Sequence, residues 1–447
     1  MELNSYHIES FGCQMNLSDS ERIAGQLESL GCSAVGTPEQ ADIIVMNTCC
    51  VRESAENRIF GHIGALKKLK EKEPHRMLVI AGCLAQKDQA AIFRRAPHVD
   101  IVLGTQNIDR LAEILLETHR QKRLVVSGDC ASDGLGDAVR KSRNPGVSAW
   151  IPIMYGCDNF CSYCIVPYVR GRERSRPPEA VLDEIAAFIQ EGGKEVTLLG
   201  QNVNSYGKNL EGKWDFPRLL AEADKLEGIE RIRFMTSHPK DISENLIKVM
   251  SEGKNICHHL HLPVQSGCDE ILRRMNRGYT TTAYKKIVEA LRAAIPDVSL
   301  TTDLIVGFPG ETEEMFAETL AFVKEIKFDA AFTFLYSRRS GTPAASMSEQ
   351  ISDAEKQHRL QRLMDLQNVI SLEMNQKFLD QKVYVLADGP SKNDSAMYSG
   401  RTDQNKLVLW PKRPDDRPGE IRTLRIKSAQ TFLLKGEPVD KGNEEYQ

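Results

Sequence analysis

The sequence predicts a multidomain α/β protein in three parts: an N-terminal open parallel α/β sheet, a partial (β/α) barrel and a small antiparallel β-barrel at the C-terminus. Two observations predict this fold class. Apolar runs of strand length alternate with helical patterns over the first third of the chain and, after an aperiodic stretch, over its central half. From about residue 376, short strand-like runs follow one another without intervening helices. The length of 447 residues allows about two to four domains.

The first predicted domain covers residues 1–120. Strands are expected in its apolar runs at 7–11, 43–46, 77–81 and 101–103, and helical patterns separate them. Strands that alternate with helices form mostly parallel sheets. Ser18 and Glu21 fit a capping box, so we expect the first helix to begin at Ser18.

Residues 121–142 are predicted to be a linker, because Gly, Asp and Ser replace any periodic apolar pattern there. The next predicted domain, 143–374, alternates again. Strands are expected at 195–199, 231–234, 260–263, 300–306 and 330–335. This alternation is typical of a complete or partial (β/α) barrel, which carries its chemistry at the carboxyl ends of the strands.

Residues 376–438 are predicted to form the small barrel. Residues 376–436 hold 12 Lys and Arg against 7 Asp and Glu, a balance of +5, so the rest of the chain carries −9. A basic barrel attached to an acidic body is typical of a polyanion-binding module, although a solubilising terminal domain would have the same charge.

The composition limits the class of protein. No apolar run approaches the ~20 residues that cross a bilayer, and the first residues lack a basic region followed by an apolar stretch. We therefore expect a soluble, cytoplasmic protein. In that compartment thiols stay reduced, so the eleven cysteines indicate metal binding, catalysis or burial rather than disulfides.

Cys157, Cys161 and Cys164 form a C-x3-C-x2-C pattern after a strand predicted at residues 151–154. Zinc sites and four-iron clusters usually take four protein ligands. A trio leaves one iron open, and an open iron can chelate the amino and carboxylate groups of S-adenosylmethionine (SAM), whose cleavage yields a radical. The alternatives are three buried thiols or a zinc knuckle.

A second trio, Cys13, Cys49 and Cys83, is unrelated by spacing, but each cysteine ends a predicted strand. The carboxyl ends of parallel strands share one crevice, so the three can converge on one point. Gly12 and Gly82 would permit close backbone approach there. Burial of three structural cysteines is the alternative. The remaining cysteines, at positions 32, 50, 130, 257 and 268, have no such pattern.

Several motifs resemble those of the radical SAM methylthiotransferases. They are FGCQMN at 11–16, NTC at 47–49, YGCDNFCSYCIVPYVRGRERSR at 155–176, HLPVQSG at 261–267, MNRGYT at 275–280 and DLIVGFPGET at 303–312. Residues 400–405 resemble part of a TRAM domain, an RNA-binding barrel. The resemblance implies an N-terminal domain with an auxiliary [4Fe–4S] cluster, a radical SAM core and a TRAM-like barrel.

Carried to matching positions, the resemblance implies that Cys13, Cys49 and Cys83 hold the auxiliary cluster. Cys157, Cys161 and Cys164 would hold the SAM-bound [4Fe–4S] cluster. Cys50 departs from many relatives, which have a small residue other than Cys there. Either Cys49 or Cys50 could therefore be the ligand, and the alignment favours Cys49.

The implied reaction is methylthiolation of carbon 2 of N6-dimethylallyladenosine at position 37 of tRNA. SAM would serve as methyl donor and as source of the 5′-deoxyadenosyl radical. The implied partners are the tRNA anticodon loop and an electron donor such as a flavodoxin or ferredoxin. A sulfur-supplying protein would be a further partner.

The resemblance also implies SAM contacts. Tyr163 would pack beside the adenine, and Gly200 with Gln201 would meet the methionyl amino group. Gln265, Ser266 and Asp303 end predicted strands and would bind ribose or carboxylate, although such positions are often only turns or caps.

RNA contacts are expected at Arg170, Arg172, Arg174 and Arg176, which alternate after the cysteine loop, and at Arg401. A solvated charged face is the alternative for the alternating run.

Two other functions fit the motifs. Sister methylthiotransferases act on threonylcarbamoyladenosine in tRNA or on an aspartate of a ribosomal protein. Gln14-Met15-Asn16 favours the dimethylallyladenosine type, because the sisters usually carry a Lys in this stretch. A non-catalytic iron–sulfur RNA-binding protein would need the basic barrel but no SAM site.

Overall fold

The computed structural model describes residues 3–49, 53–118, 123–128 and 146–439, without the side chains of residues 53–55 and 118. Cys50, Cys130 and most of the predicted linker lie outside the described residues. Within these ranges, no helix combines the length and apolarity of a membrane-spanning segment. The three predicted parts are present: an open parallel sheet, a partial (β/α) barrel and a closed five-stranded barrel.

The N-terminal part is one sheet of six parallel strands in the order β2-β1-β3-β4-β5-β6. The strands are β1 (Ser5–Ser10), β2 (Ser33–Ala34), β3 (Ile43–Thr48), β4 (Met77–Gly82), β5 (Ile101–Leu103) and β6 (Leu124–Val126). The helices are α1 (Gln14–Ser29), α2 (Glu53–Ala65), α3 (Lys67–Lys72), α4 (Cys83–Asp88), α5 (Ala91–Arg95) and α6 (Leu111–Thr118). Two apolar clusters, one on each face, bury the sheet.

Two features of this sheet differ from the prediction. Strand β6 pairs in parallel with β5 although it lies within the segment predicted as linker, 121–142. Its three residues form too short an apolar run to be distinguished in the sequence. Helix α1 begins at Gln14 with Cys13 as its N-cap, so Ser18 lies inside the helix. The side chain of Asn16 accepts a hydrogen bond from the Cys13 backbone N–H at 3.3 Å, which stabilises this earlier start.

The central part contains eight strands and eight helices. The strands are β7 (Ser148–Pro152), β8 (Met154–Tyr155), β9 (Arg174–Ser175), β10 (Glu195–Leu199), β11 (Arg231–Phe234), β12 (His259–His261), β13 (Ser299–Val306) and β14 (Ala330–Leu335). The helices are α7 (Val166–Arg170), α8 (Pro178–Gln190), α9 (Phe216–Asp224), α10 (Glu244–Glu252), α11 (Asp269–Arg274), α12 (Thr281–Ala294), α13 (Glu313–Ile326) and α14 (Asp353–Gln376).

Six of these strands form the partial barrel. The order β7-β10-β11 makes one parallel sheet and β12-β13-β14 makes a second. Along β13, Leu300, Thr302, Leu304 and Val306 are buried, whereas Thr301 and Asp303 are partly exposed. This alternation separates a face covered by helices from the open interior of the barrel. Strands β8 and β9 pair with each other and close the base of the cysteine loop.

The C-terminal part is a closed barrel of β15 (Lys382–Pro390), β16 (Met397–Thr402), β17 (Leu407–Pro411), β18 (Ile421–Ala429) and β19 (Leu434–Pro438). Four of its pairings are antiparallel, as predicted, and the β17–β19 pairing is parallel. The prediction of a purely antiparallel barrel is corrected on this point, because strand directions cannot alternate around a ring with an odd number of strands. Trp410 is fully buried at its centre.

This barrel is attached to the amino ends of the central strands, away from the cysteines. Arg233 donates to the backbone carbonyls of Thr402 and Asp403 at 2.8 and 2.9 Å. Arg231 donates to the carbonyl of Tyr384 at 2.9 Å and also to that of Arg401. Two buried guanidinium groups and four backbone carbonyls thus fix the barrel at this end.

Candidate functional site

Cys13, Cys49 and Cys83 lie at the carboxyl edge of three adjacent strands, as expected. Cys13 caps α1, Cys49 directly follows β3, and Cys83 is the first residue of α4. Thr48 pairs with Gly82 across the sheet, so the cysteines that follow them lie side by side. Adjacent strands are about 4.8 Å apart, which brings the three thiols to one edge.

Two buried asparagines brace this edge. The Asn16 side-chain amide donates to Asn47 Oδ1 and to the Thr48 carbonyl, both at 3.3 Å. In return, the Asn47 amide donates to the Asn16 carbonyl at 2.8 Å. These bonds join the loop of Cys13 to that of Cys49. Asn16 belongs to the FGCQMN motif and Asn47 to the NTC motif, but no role was predicted for either residue.

Gly12 and Gly82 permit the close approach that was expected of them. A Cβ on Gly12 would lie 2.7 Å from Cys49 Cβ, and one on Gly82 would lie 2.4 Å from the Thr48 carbonyl oxygen. Both residues also have positive φ, +140° and +92°. Glycine is therefore required at both positions for the cysteines to converge.

Cys157, Cys161 and Cys164 lie on the loop between β8 and β9, at the carboxyl end of the barrel. Burial, with a smaller contribution from the neighbouring cysteines, raises the pKa of the Cys157 thiol to about 12 and that of the Cys164 thiol to about 11. These thiols stay protonated until a metal displaces their protons, because only the thiolate is a ligand.

Arg277 is a site residue that the sequence analysis missed, although the MNRGYT motif contains it. Its guanidinium is buried and donates to Cys161 Sγ at 3.4 Å and to the Pro263 carbonyl at 2.7 Å. It also donates to the Tyr279 hydroxyl at 3.1 Å. A buried positive charge therefore lies beside one of the thiols and would stabilise its thiolate.

The two trios meet at one interface. Cys83 packs with Ile165, which follows Cys164 directly and caps α7, and with Val169 on that helix. The Thr105 hydroxyl, in the N-terminal part, donates to the Val169 carbonyl at 2.5 Å. Both cysteine loops therefore face the junction between the sheet and the barrel.

The spacing of the sulfur atoms distinguishes a cluster from a single ion. Among the described residues, the one group of at least three metal-binding side chains whose ligand atoms all lie within 4.8 Å is His258, Asp297 and Asp403. Each cysteine trio is therefore more widely spread. A tetrahedral zinc ion needs sulfur atoms about 3.8 Å apart, whereas a four-iron cluster takes each thiolate on a different iron. A spread above 4.8 Å does not match the ligands of a single zinc ion.

Unpaired polar atoms mark a second part of the site, at the carboxyl ends of β10 and β11. Within the described part of the chain, five buried side-chain atoms there have no hydrogen-bond partner: Gln201 Oε1, Asn202 Oδ1, Asn204 Nδ2, Ser237 Oγ and His238 Nε2. Thr236 and Gln265, nearby strand-end residues, have φ near +71°. Orphaned polar atoms and strained backbone together fit a polar ligand such as SAM.

His238 is the most constrained of these residues. Burial, followed by the charges of Arg277, Lys240 and Lys208, lowers its pKa to about 2. Its Nδ1 accepts from the Lys240 backbone N–H at 3.3 Å, so the proton of the neutral ring lies on the unpaired Nε2. His238 therefore presents one buried N–H donor. No sequence motif indicated this role.

The predicted SAM residues have different environments. Tyr163 packs against the Phe308 and Tyr336 cluster, and burial raises its pKa well above the usual range. Gly200 lies against Met154, and a Cβ there would be 2.7 Å from Met154 Cγ. Asp303 faces the barrel interior, with its carboxylate 3.5 Å from His261 Nε2.

Gln265 and Ser266 differ from each other. Gln265 is held by its backbone, which donates to the Asp303 carbonyl at 2.8 Å, and this leaves its side chain available. The Ser266 hydroxyl lies 3.2 Å from Thr319 Oγ1 on α13 and accepts from the Cys268 N–H at 3.2 Å. These two hydrogen bonds position α11 and α13, and the SAM contact expected of Ser266 remains a prediction.

The alternating arginines do not form one exposed face. Arg170 and Arg176 are buried, and they pair with Asp19 at 3.0 Å and with Glu184 at 2.8 Å. These buried ion pairs give both arginines a structural role, and RNA contact at these two positions remains a prediction. The Arg172 side chain is 74% exposed beside Asp158.

Arg174 is partly buried on β9. Arg401 is exposed, at the end of the molecule opposite the cysteines, and its guanidinium donates to the Asn405 carbonyl at 3.1 Å. The predictions of RNA contact at Arg172, Arg174 and Arg401 remain predictions.

Comparison with known proteins first gives the class. The profile of the radical SAM superfamily matches residues 151–323, and that of Uncharacterized protein family UPF0004 matches residues 5–104. A radical SAM methyltransferase, TsrM from Kitasatospora setae, has the same fold over 76% of this chain and 75% of its own, with a TM-score of 0.58 at 14% identity. The barrel and its cysteine loop thus belong to a radical SAM enzyme.

Relatives of higher identity then give the family. A tRNA-2-methylthio-N(6)-dimethylallyladenosine synthase of Desulforamulus reducens is 48% identical over 98% of this chain and 96% of its own length. One of Carboxydothermus hydrogenoformans is 48% identical over 98% and 99%. The chain belongs to the family of tRNA-2-methylthio-N(6)-dimethylallyladenosine synthases. Membership excludes the alternative of a non-catalytic RNA-binding protein.

Proposed function

We propose that this chain methylthiolates carbon 2 of N6-dimethylallyladenosine at position 37 of tRNA, with SAM as methyl donor and as radical source. The observation that carries this proposal is the contact of Cys83 with Ile165 and Val169, which brings the two trios to one interface. When bound there, two [4Fe–4S] clusters supply sulfur on one side and the electron that cleaves SAM on the other.

The six cysteines of the two trios are the cluster ligands. Cys13, Cys49 and Cys83 hold the auxiliary cluster on the sheet, and Cys157, Cys161 and Cys164 hold the SAM-bound cluster on the barrel. Asn16 and Asn47 keep the first set of loops together. Arg277 stabilises the Cys161 thiolate through its 3.4 Å contact.

SAM would lie across the carboxyl ends of β10 and β11. The unpaired oxygens of Gln201 and Asn202 would accept hydrogen bonds from its amino group, and the neutral His238 would donate a hydrogen bond from Nε2–H to its carboxylate or ribose. Tyr163 would pack beside the adenine, and Asp303 and Gln265 would contact the ribose from the barrel interior. Burial of these residues excludes water from the site.

The tRNA reaches the interface from outside the barrel. Its anticodon loop is single-stranded, so the target base can be extruded towards the cysteines. Arg172 and Arg174 hold phosphates beside the cysteine loop, and Arg401 with the basic C-terminal barrel holds a more distant part of the RNA. The proposed protein partners are a flavodoxin or ferredoxin as electron donor and a sulfur carrier as sulfur source. The proposed compartment is the cytoplasm.

The test is anaerobic reconstitution with reductant, SAM and tRNA that carries dimethylallyladenosine, followed by mass spectrometry of the digested nucleosides. Cys83→Ala and Cys161→Ala each remove one ligand. Cys32→Ala and Cys268→Ala are matched controls, since both side chains are buried cysteines outside the trios. We expect methylthio product from the wild type and both controls, and none from the two ligand variants.

Each step of the proposal has its own readout. Cys83→Ala should still release 5′-deoxyadenosine, whereas Cys161→Ala should not. Release of 5′-deoxyadenosine by the wild type without any change in the nucleoside would contradict the substrate assignment. Threonylcarbamoyladenosine tRNA and the ribosomal protein aspartate would then be tested. Product from Cys83→Ala would contradict the assignment of the auxiliary ligands.

A further inference from the structure

A polar cavity lies where the N-terminal sheet meets the loop that follows β14. Its volume is about 520 Å³, and residues from both parts of the chain line it. The sheet side contributes Glu56 and Lys87, and the barrel side contributes Ile165, Arg338 and Arg339 together with small residues up to Ser346. Pockets of this size hold ligands as large as a nucleotide.

The cavity adjoins both cysteine trios. Ile165 lines it, follows Cys164 directly and packs with Cys83. The Arg339 guanidinium is near enough to Cys164 for its charge to act on that thiol. A group held in this cavity is therefore beside the interface where the target base must lie under the proposed function.

The charges of the lining favour an anion. Lys87 donates to both carboxylate oxygens of Glu56, at 2.7 and 2.8 Å, so this pair is neutral overall. The Arg338 Nε–H donates a hydrogen bond to the Ala345 carbonyl at 2.6 Å. Arg339 Nε is buried without a hydrogen-bond partner among the described residues, and no described carboxylate pairs with either arginine. Two guanidinium charges are thus left for a ligand.

We infer that Arg338 and Arg339 bind a backbone phosphate of the RNA next to the target nucleoside. Guanidinium groups match the geometry of phosphate oxygens and remain charged at all working pH values. The SAM carboxylate has the same chemistry, but the unpaired atoms that suit SAM lie at the ends of β10 and β11. The inference rests on the proposed function only for the identity of the RNA, since the phosphate contact does not depend on the N6 substituent.

The experiment measures RNA and SAM binding separately in the reconstituted holoenzyme. The variant is Arg338→Gln with Arg339→Gln. The control is Arg94→Gln with Arg95→Gln, an adjacent exposed pair on α5 that loses the same charge. Dissociation constants are measured for tRNA with and without the dimethylallyl group over a range of salt concentrations, and 5′-deoxyadenosine release is measured without tRNA.

We expect the variant to bind both tRNAs roughly tenfold more weakly and its salt slope to fall by about 0.7, the value for one single-strand phosphate contact. SAM cleavage and the control variant should match the wild type. Loss of SAM affinity with unchanged tRNA binding would assign the cavity to the SAM carboxylate and overturn the inference. Equal weakening in the control would reduce it to a general charge effect. Tight binding of both tRNAs without any methylthio product would contradict the proposed function alone.

Discussion

The Arg170 guanidinium donates to the Asp19 carboxylate at 3.0 Å, and both side chains are buried. Asp19 lies on α1, six residues after Cys13, and Arg170 ends α7, six residues after Cys164. Arg22 extends the contact, since it donates to the Tyr155 hydroxyl at 3.2 Å. One buried ion pair therefore joins the helices that leave the two cysteine sites.

Arg170→Met should destabilise the protein by about 3 kcal/mol, because it leaves the Asp19 charge buried with only the more distant Arg22. Anaerobic urea unfolding gives the free energy of unfolding. Arg110→Met, which breaks an exposed pair with Glu113, should cost less than about 1 kcal/mol. Combining Arg170→Met with Asp19→Asn should restore part of the loss. Equal stability of Arg170→Met and the wild type would show that the pair does not hold the two parts together.

Gly82→Ala should prevent assembly of the auxiliary site. The new methyl group would meet the Thr48 carbonyl oxygen at 2.4 Å, in a backbone conformation with φ of +92°. Gly31→Ala is the matched control, because φ is +86° there but nothing lies within 4 Å. Gly31→Ala bears a backbone cost of about 1–2 kcal/mol. Gly82 has ψ of −156°, in a region that essentially only glycine adopts, so Gly82→Ala bears about 1–3 kcal/mol. Iron analysis should show about four fewer irons per chain in Gly82→Ala alone. Equal iron loss in both would implicate the backbone conformation and not the contact.

His238→Gln should remove a pH dependence of stability. The folded-state pKa is lowered to about 2, while the unfolded residue titrates near about 6.5. Below about pH 6.5 the unfolded chain binds a proton that the folded chain does not, so the free energy of unfolding decreases as the pH is lowered. The wild type should lose about 1.4 kcal/mol relative to the variant between pH 7.5 and 5.5. Parallel unfolding curves for the two proteins over this range would mean that His238 protonates in the folded state.

Lys406→Met should loosen the C-terminal barrel. Lys406 Nζ lies 2.6 Å from the Asp329 carboxylate on the central domain, and both are buried. Removing the lysine leaves a buried carboxylate unpaired, at a cost of about 3 kcal/mol. Hydrogen exchange measured by mass spectrometry should increase across β15–β19. Lys412→Met, an exposed lysine in the same barrel, should leave exchange unchanged. Unchanged hydrogen exchange in Lys406→Met would contradict this prediction and would show that the contacts of Arg231 and Arg233 are sufficient to hold the barrel.

The sequence could predict the features that depend on the periodicity of apolar residues and on where the strands end. The three N-terminal cysteines were expected to converge because each ends an apolar run, and parallel strands end at one edge. The C-terminal barrel was also expected, but the sequence does not indicate its last strand. That strand, Leu434–Pro438, contains Lys, Gly, Glu and Pro and has no alternating apolar pattern to reveal it.

Pairing between residues that are apart in the sequence limited the prediction of the other site residues. Arg170 and Arg176 belong to an alternating basic run that is typical of an exposed face, and only the fold brings Asp19 and Glu184 to them. The unpaired atoms of Asn202 and His238 likewise become evident once β10 and β11 lie side by side. Such sites depend on which groups lack a partner, and this is a property of the assembled structure.

Arg231 and Arg233 grip the C-terminal barrel chiefly by main-chain oxygens, those of Tyr384, Arg401, Thr402 and Asp403. Every residue type has a backbone carbonyl, so these hydrogen bonds do not depend on the side chains of Arg401 and Thr402. Substitutions of Arg401 can therefore accumulate without breaking these backbone contacts. Relatives can therefore differ in the exposed side chain at this position and still share the same domain arrangement.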